Sequence, residues 1–70
     1  WIVDGAISIR DLNKKLNLKL PTSGPITLSG LIIEFLENIP ETNTSFKMHK
    51  TKFEIINIYE QTIKKIKIYK

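Results

Sequence analysis

The chain has 70 residues, no cysteine, one histidine and a formal net charge of +4. That length fits one domain, with a core that supplies only about 3–5 kcal/mol without added staples. Disulfides, thiolate metal sites and any site needing two imidazoles are excluded, and so short a chain has little room for a ligand cavity of roughly 300 Å³. These limits describe a domain that binds rather than catalyses, and the lack of cysteine fits a reducing cytoplasm.

Eleven Lys/Arg oppose seven Asp/Glu, and ten of the cations are lysines. In a sequence also rich in Ile and Asn, this bias reads first as a solvated basic surface. Anionic lipid, an acidic partner and nucleic acid are the other readings. No charged n-region precedes a long apolar stretch, and no apolar run approaches the about 20 residues of a membrane span. The apolar opening, Trp1-Ile2-Val3, is expected to be a boundary within a larger protein.

In chain order, Trp1-Ile2-Val3 is β-prone and Asp4-Gly5 is a turn dipeptide in which Gly is free to take positive φ. Ser8 is placed to cap a helix running through Leu16, with Asp11 near the capping-box position. Ile9, Leu12 and Leu16 form its buried stripe. Asn17 suits a left-handed terminator, and Pro21 keeps Leu20 extended. A loop through Ser23, Gly24 and Pro25 leads to Thr27, the expected cap of a second helix. There Leu28, Leu31, Ile32, Phe35, Leu36 and Ile39 share one face, and Asn38 and Pro40 are expected to end it. Gly30, in its first turn, permits close approach of a strand or helix.

The rest reads as β. Phe46 and Met48 alternate with Lys47 and His49, and Phe53-Glu54-Ile55 alternates again. Ile55, Ile56 and Ile58 break the phase, which requires a bulge or burial on both faces. Ile66 and Ile68 alternate with Lys65, Lys67 and Tyr69, so the last strand has one wet face. The order is β-α-α-β-β-β: an α+β fold with two helices on one face of a mostly antiparallel sheet.

No constellation carries catalysis. His49 reads as an exposed turn residue. Glu34, Glu37 and Glu41 read as a wet helix face, and Asp4 and Asp11 as turn and cap residues. Ser8 and Thr27 have no adjacent base that would make a nucleophile. Gly24 and Gly30 lack the spacing of a phosphate loop. Lys64, Lys65, Lys67 and Lys70 form the one charge cluster, read as guards of an edge strand in preference to a nucleic-acid patch.

Trp1-Ile2-Val3-Asp4-Gly5, Asp11-Leu12-Asn13, Leu18-x-Leu20-Pro21, Thr27-Leu28-Ser29-Gly30-Leu31-Ile32, Ile39-Pro40 and Phe53-x-Ile55 together resemble the CorC/HlyC transporter-associated domain, over essentially the whole chain. Val3-Asp4-Gly5 and Thr27-Leu28-x-Gly30-Leu31 are the specific blocks. The chain departs from the family pattern where Asn17 and Asn43 stand for Gly. It departs again at His49-Lys50-Thr51-Lys52, where a tight type I′ turn is put in doubt, and at Glu60-Gln61-Thr62, which lacks Asp-Gly.

The resemblance implies that residues 1–70 are a single domain from the C-terminal part of a hemolysin-like bacterial membrane protein. That parent would carry a transmembrane domain and CBS modules and be associated with magnesium and cobalt efflux at the cytoplasmic face of the inner membrane. It also implies a fold similar to a half-unit of the FAD-binding/transporter-associated superfamily. Docking on the CBS modules and transmembrane domain of the same protein is the leading expectation, with Ile56, Ile58 and Tyr59 as the candidate surface. The alternatives are FAD or adenine-nucleotide binding and a basic nucleic-acid module. A homodimer is left open. No catalytic, metal or cofactor residue is carried over, and Val3, Asp4, Gly5, Thr27 and Gly30 are expected to be structural.

Overall fold

A computed structural model describes residues 1–69. It comprises β1 (Ile2–Asp4), α1 (Ile9–Leu16), α2 (Leu28–Leu36), β2 (Ser45–Met48), β3 (Thr51–Tyr59) and β4 (Thr62–Tyr69). The four strands form one sheet in the order β1-β4-β3-β2 with every neighbouring pair antiparallel. The α+β fold class and the β-α-α-β-β-β order are as the sequence pattern requires.

Both helices begin where local chemistry dictates. Ser8 Oγ accepts from Asp11 N at 3.0 Å and Thr27 Oγ1 from Gly30 N at 3.2 Å, each side chain occupying one otherwise orphaned donor. The α1 C-terminus turns on Asn17 at φ 56°, and Leu18 N donates back to Asn13 O at 3.0 Å, a Schellman arrangement. The Asn13 side chain then clamps Leu20 through two 3.0 Å bonds, donating to its carbonyl and accepting from its N–H. That clamp delivers Leu20 to the core, where it is buried.

The second helix is shorter than its apolar stripe. It ends at Leu36 because Glu37 adopts φ 61° and its N–H donates to Ile33 O. The chain therefore turns before Asn38 and Pro40, and Ile39, expected on the buried stripe, is 43% exposed. Phe35 is 48% exposed yet stacks on Phe46, which stacks in turn on Phe53, with centroid separations of 6.0 and 5.6 Å.

Two-residue turns join the last three strands, with Met48 paired to Thr51 and Tyr59 to Thr62. His49 and Lys50 have φ of 51° and 67°, and Glu60 and Gln61 of 50° and 63°. Positive φ at both central positions is the type I′ requirement, so both tight turns form without glycine. Asn43, at φ 70°, heads a G1-type bulge: Asn43 N donates to Ile55 O while Ile55 N donates to Thr44 O. The phase break in β3 is a register shift after Ile55, mirrored in β4 between Ile63 and Lys65, after which the original register resumes.

The core lies between the helices and one sheet face. Ile9, Leu12, Leu28 and Ile32 meet Phe53, Ile55, Ile63, Ile66 and Ile68, all at most 1% exposed. The other sheet face is open. Because β1 returns to pair with β4, the last strand is central rather than at an edge. Its lysines therefore do not guard an edge, and Lys70 of that cluster lies outside the described residues. The free edges are β1 and β2.

Candidate functional site

The two motif blocks meet at one end of the sheet and form a frame. Gly5 N donates to Lys64 O and Gly5 O accepts from Ser29 N, both at 2.9 Å. Ile9 N donates to Ile26 O and Leu28 N to Ile7 O, and Ser8 bridges Thr27, so both helices start side by side. Asp4 Oδ1 accepts from Ala6 N at 2.8 Å and closes the turn. Gly5 is there for proximity, not for the positive φ that the turn dipeptide leads one to expect. A Cβ on it would lie 2.0 Å from Ile63 O. Gly30 is pressed by Pro25 and Thr27, at 3.3 and 3.4 Å, rather than by a strand or helix.

An open cleft of about 230 Å³ lies beside this frame, lined by Asp4, Gly5, Thr27 and Ser29 among others. The first N–H groups of α2 already donate to Ile7 O, Gly5 O and Thr27 Oγ1, so the cleft offers no phosphate cradle of the helix N-terminal kind. Val3 faces the core side, opposite Ile66. The five motif positions are thus brought together at one end of the sheet. Among the described residues, no group of three His, Cys, Asp or Glu is placed to hold a metal ion, and no helix is long and apolar enough to cross a membrane.

The candidate docking residues are not brought together. After the phase break Ile58 turns inward and packs against the core, while Tyr59, 62% exposed, points to the opposite face. Ile56 is half-buried at the break itself.

The open sheet face carries the chemistry that sequence reasoning missed. Cross-strand registers set Lys47 opposite Lys52, Lys52 opposite Tyr69, Glu54 opposite Lys67, and Asp4 opposite Lys65. The Lys52 and Lys67 ammonium groups lie 4.9 and 5.2 Å from the Tyr69 ring centroid. The Tyr69 hydroxyl donates to Glu54 Oε1 at 2.6 Å. That bond, some desolvation and the Glu54 charge hold the phenol above its ordinary value, with Lys67 pulling the other way. Asp4–Lys65, at 3.8 Å, is the one ion pair among the described residues. Beside β2, a groove of about 340 Å³ is lined by Ser45, Phe46, Lys47 and Lys52.

A frame of paired motif blocks, one sealed sheet face and one open, basic face characterise this small α+β domain. The chain matches the model of the transporter associated domain, CorC_HlyC, over residues 1–70, and it belongs to that family. It is 32% identical over 68 residues to the UPF0053 inner membrane protein YfjD of Escherichia coli, which covers 97% of the chain and 16% of the relative. It is 35% identical over 60 residues to the polyamine export protein of Salmonella typhimurium, covering 83% of the chain and 13% of that protein. The chain thus spans about a sixth or less of the length of these relatives. Its fold superposes on a conserved Haemophilus influenzae protein of known crystal structure with a TM-score of 0.94 at 38% identity, over 99% of this chain and 85% of the other.

Proposed function

We propose that this chain is a non-catalytic accessory domain of a bacterial integral membrane transport protein, held at the cytoplasmic face of the inner membrane. It docks on the CBS modules and transmembrane domain of its own parent and modulates movement of a small multivalent cation. Magnesium and cobalt are the cargo the family resemblance implies, and the name of one relative, a polyamine export protein, supports considering organic polycations beside them. The observation that carries this reading is the division of labour in the fold. The family motifs are used to tie β1, α2 and the start of β4 together, while one whole face of the sheet is left to solvent.

The test is made in the full-length parent. A photo-cross-linking residue at Lys52 on the open face is expected to give adducts with the CBS region, and one at Lys15 on α1 is not. Deletion of residues 1–70 is expected to change efflux of cobalt, magnesium or spermidine from loaded cells while the protein still reaches the membrane. Cross-links absent from the CBS region, together with unchanged efflux of all three cargoes, would sink the proposal.

A further inference from the structure

The excess positive charge is segregated. On the helices and their connections Arg10, Lys14, Lys15 and Lys19 are matched in number by Asp11, Glu34, Glu37 and Glu41. The surplus therefore belongs to the sheet and its hairpins. Within the sheet, Asp4 answers Lys65 and Glu54 lies across from Lys67. Lys47 and Lys52 stand directly opposite each other with no carboxylate in ion-pair contact among the described residues. Directly opposed like charges destabilise a sheet, so this pair is a local conflict that an anionic group would relieve.

The same two lysines sit at a free edge. The bond from Ile55 N to Thr44 O fixes the alternation in the β2–β3 pair. The N–H and C=O of Phe46 point toward β3, and those of Ser45 and Lys47 point away from the sheet. On the helix side of that edge Phe46 is half-buried and Phe35 is exposed, stacked on it. The edge therefore combines an unpaired backbone row, a cationic pair on one face and an aromatic shelf on the other.

We infer that β2 is a strand-addition site for an extended polypeptide segment that alternates acidic and apolar residues. This deepens the docking reading and rests on it for the identity of the segment, which would belong to the parent protein. Backbone bonds to Ser45 and Lys47 supply the pairing. Acidic side chains on the open face meet Lys47 and Lys52, and the apolar side chains between them reach Phe46 and Phe35, as the two-residue period of a strand requires. A second copy of this chain fits poorly, since antiparallel pairing of β2 with itself brings two copies of the lysine pair together. The edge at β1 offers no such pair, its Asp4 being matched to Lys65.

The probe is a short synthetic peptide alternating Glu with Val, titrated into the 70-residue chain at low salt, with amide hydrogen exchange and backbone NMR shifts as readouts. Exchange at Ser45 and Lys47 is expected to slow by about tenfold at saturation, with little change at β1. A Lys/Val peptide is expected to have no effect. Lys47→Glu is expected to weaken the Glu/Val peptide by about tenfold, a loss that shrinks as salt screens it. Lys47→Pro removes an outward donor and is expected to abolish edge protection. Lys47→Glu keeps the test decisive if the proline variant does not fold.

Equal binding of both peptides, protection elsewhere, or concentration-dependent self-association protecting the same amides would overturn the proposal. So would capture only by vesicles of phosphatidylcholine with about one third phosphatidylglycerol and no edge protection. Failure here alongside intact CBS cross-links would leave docking in place on another surface. Success here without those cross-links would detach the edge from the parent protein's own modules.

Discussion

Gly5 and Tyr69 show what single residues contribute. None of the three glycines has positive φ, so glycine at position 5 serves contact alone. A Cβ there meets the carbonyl oxygen and carbon of Ile63 at 2.0 and 2.9 Å, and backbone cannot step aside as a side-chain tip can. Gly5→Ala is expected to cost about 3 kcal/mol or more, close to the whole stability of so small a core. Urea unfolding of the variant checks this, and a cooperative transition near that of the parent chain would disprove the close approach. Tyr69 tests the open face. Its phenol is held above the ordinary value of 10.0, chiefly by the hydrogen bond to Glu54. A raised folded-state value means that the native chain keeps its proton where the unfolded chain has lost it. This contribution to stability is complete below the unfolded value and disappears as pH rises through the folded one. In a Tyr59→Phe background, tyrosinate absorbance is expected to rise at higher pH than in urea-unfolded chain, and Glu54→Gln to bring it back down. Coincident titrations in folded and unfolded chain would remove the Glu54 bond.

At the scale of elements, the reverse use of positive φ stands out. Asn17, Glu37, Asn43, His49, Lys50, Glu60 and Gln61 all take it. Left-handed geometry costs a non-glycine residue about 1–2 kcal/mol, partly offset by the entropy that glycine loses on folding. Lys50→Gly and Gln61→Gly are each expected to stabilise the chain by about 0.5–1 kcal/mol, visible as a raised urea midpoint at constant m-value. Asn17→Gly is expected to do less, because Asn already tolerates the region. A loss of stability at Lys50 would show that its hairpin turn differs from the geometry described. The same residues explain what could be read beforehand. Ser8 and Thr27 announce the helix starts because capping is local chemistry between neighbours in sequence. Glu37 and the pairs His49-Lys50 and Glu60-Gln61 announce nothing, since the packing on either side imposes φ on residues without that preference. The wet face of β4 was legible from alternation. That β4 is central, and that Lys47 faces Lys52, follows from strand pairing, including contacts between opposite ends of the chain, which periodicity does not carry.

For the whole molecule, stability and docking are expected to oppose each other at the β2 edge. The sealed face holds the domain together, and the open face carries a like-charge pair whose mutual repulsion works against the isolated fold. Lys47→Glu converts that opposition into an attractive cross-strand pair with Lys52 and leaves the Tyr69–Glu54 hydrogen bond and the Lys67 contact in place. The isolated chain is expected to gain about 0.2–1 kcal/mol, measured by urea unfolding at low ionic strength. The gain is expected to fade at high salt, as surface electrostatics do. In the full-length parent the same substitution is expected to weaken cross-linking from the open face and to move cation efflux toward the level seen when residues 1–70 are deleted. A lysine pair that weakens the fold but strengthens an interface is the pattern expected where function sets the residue. If Lys47→Glu stabilises the chain and leaves efflux unchanged, the pair has no such role and the docking surface lies elsewhere on the sheet. If it destabilises the isolated chain, the two ammonium groups are not in conflict and the physical basis for an anionic partner is gone.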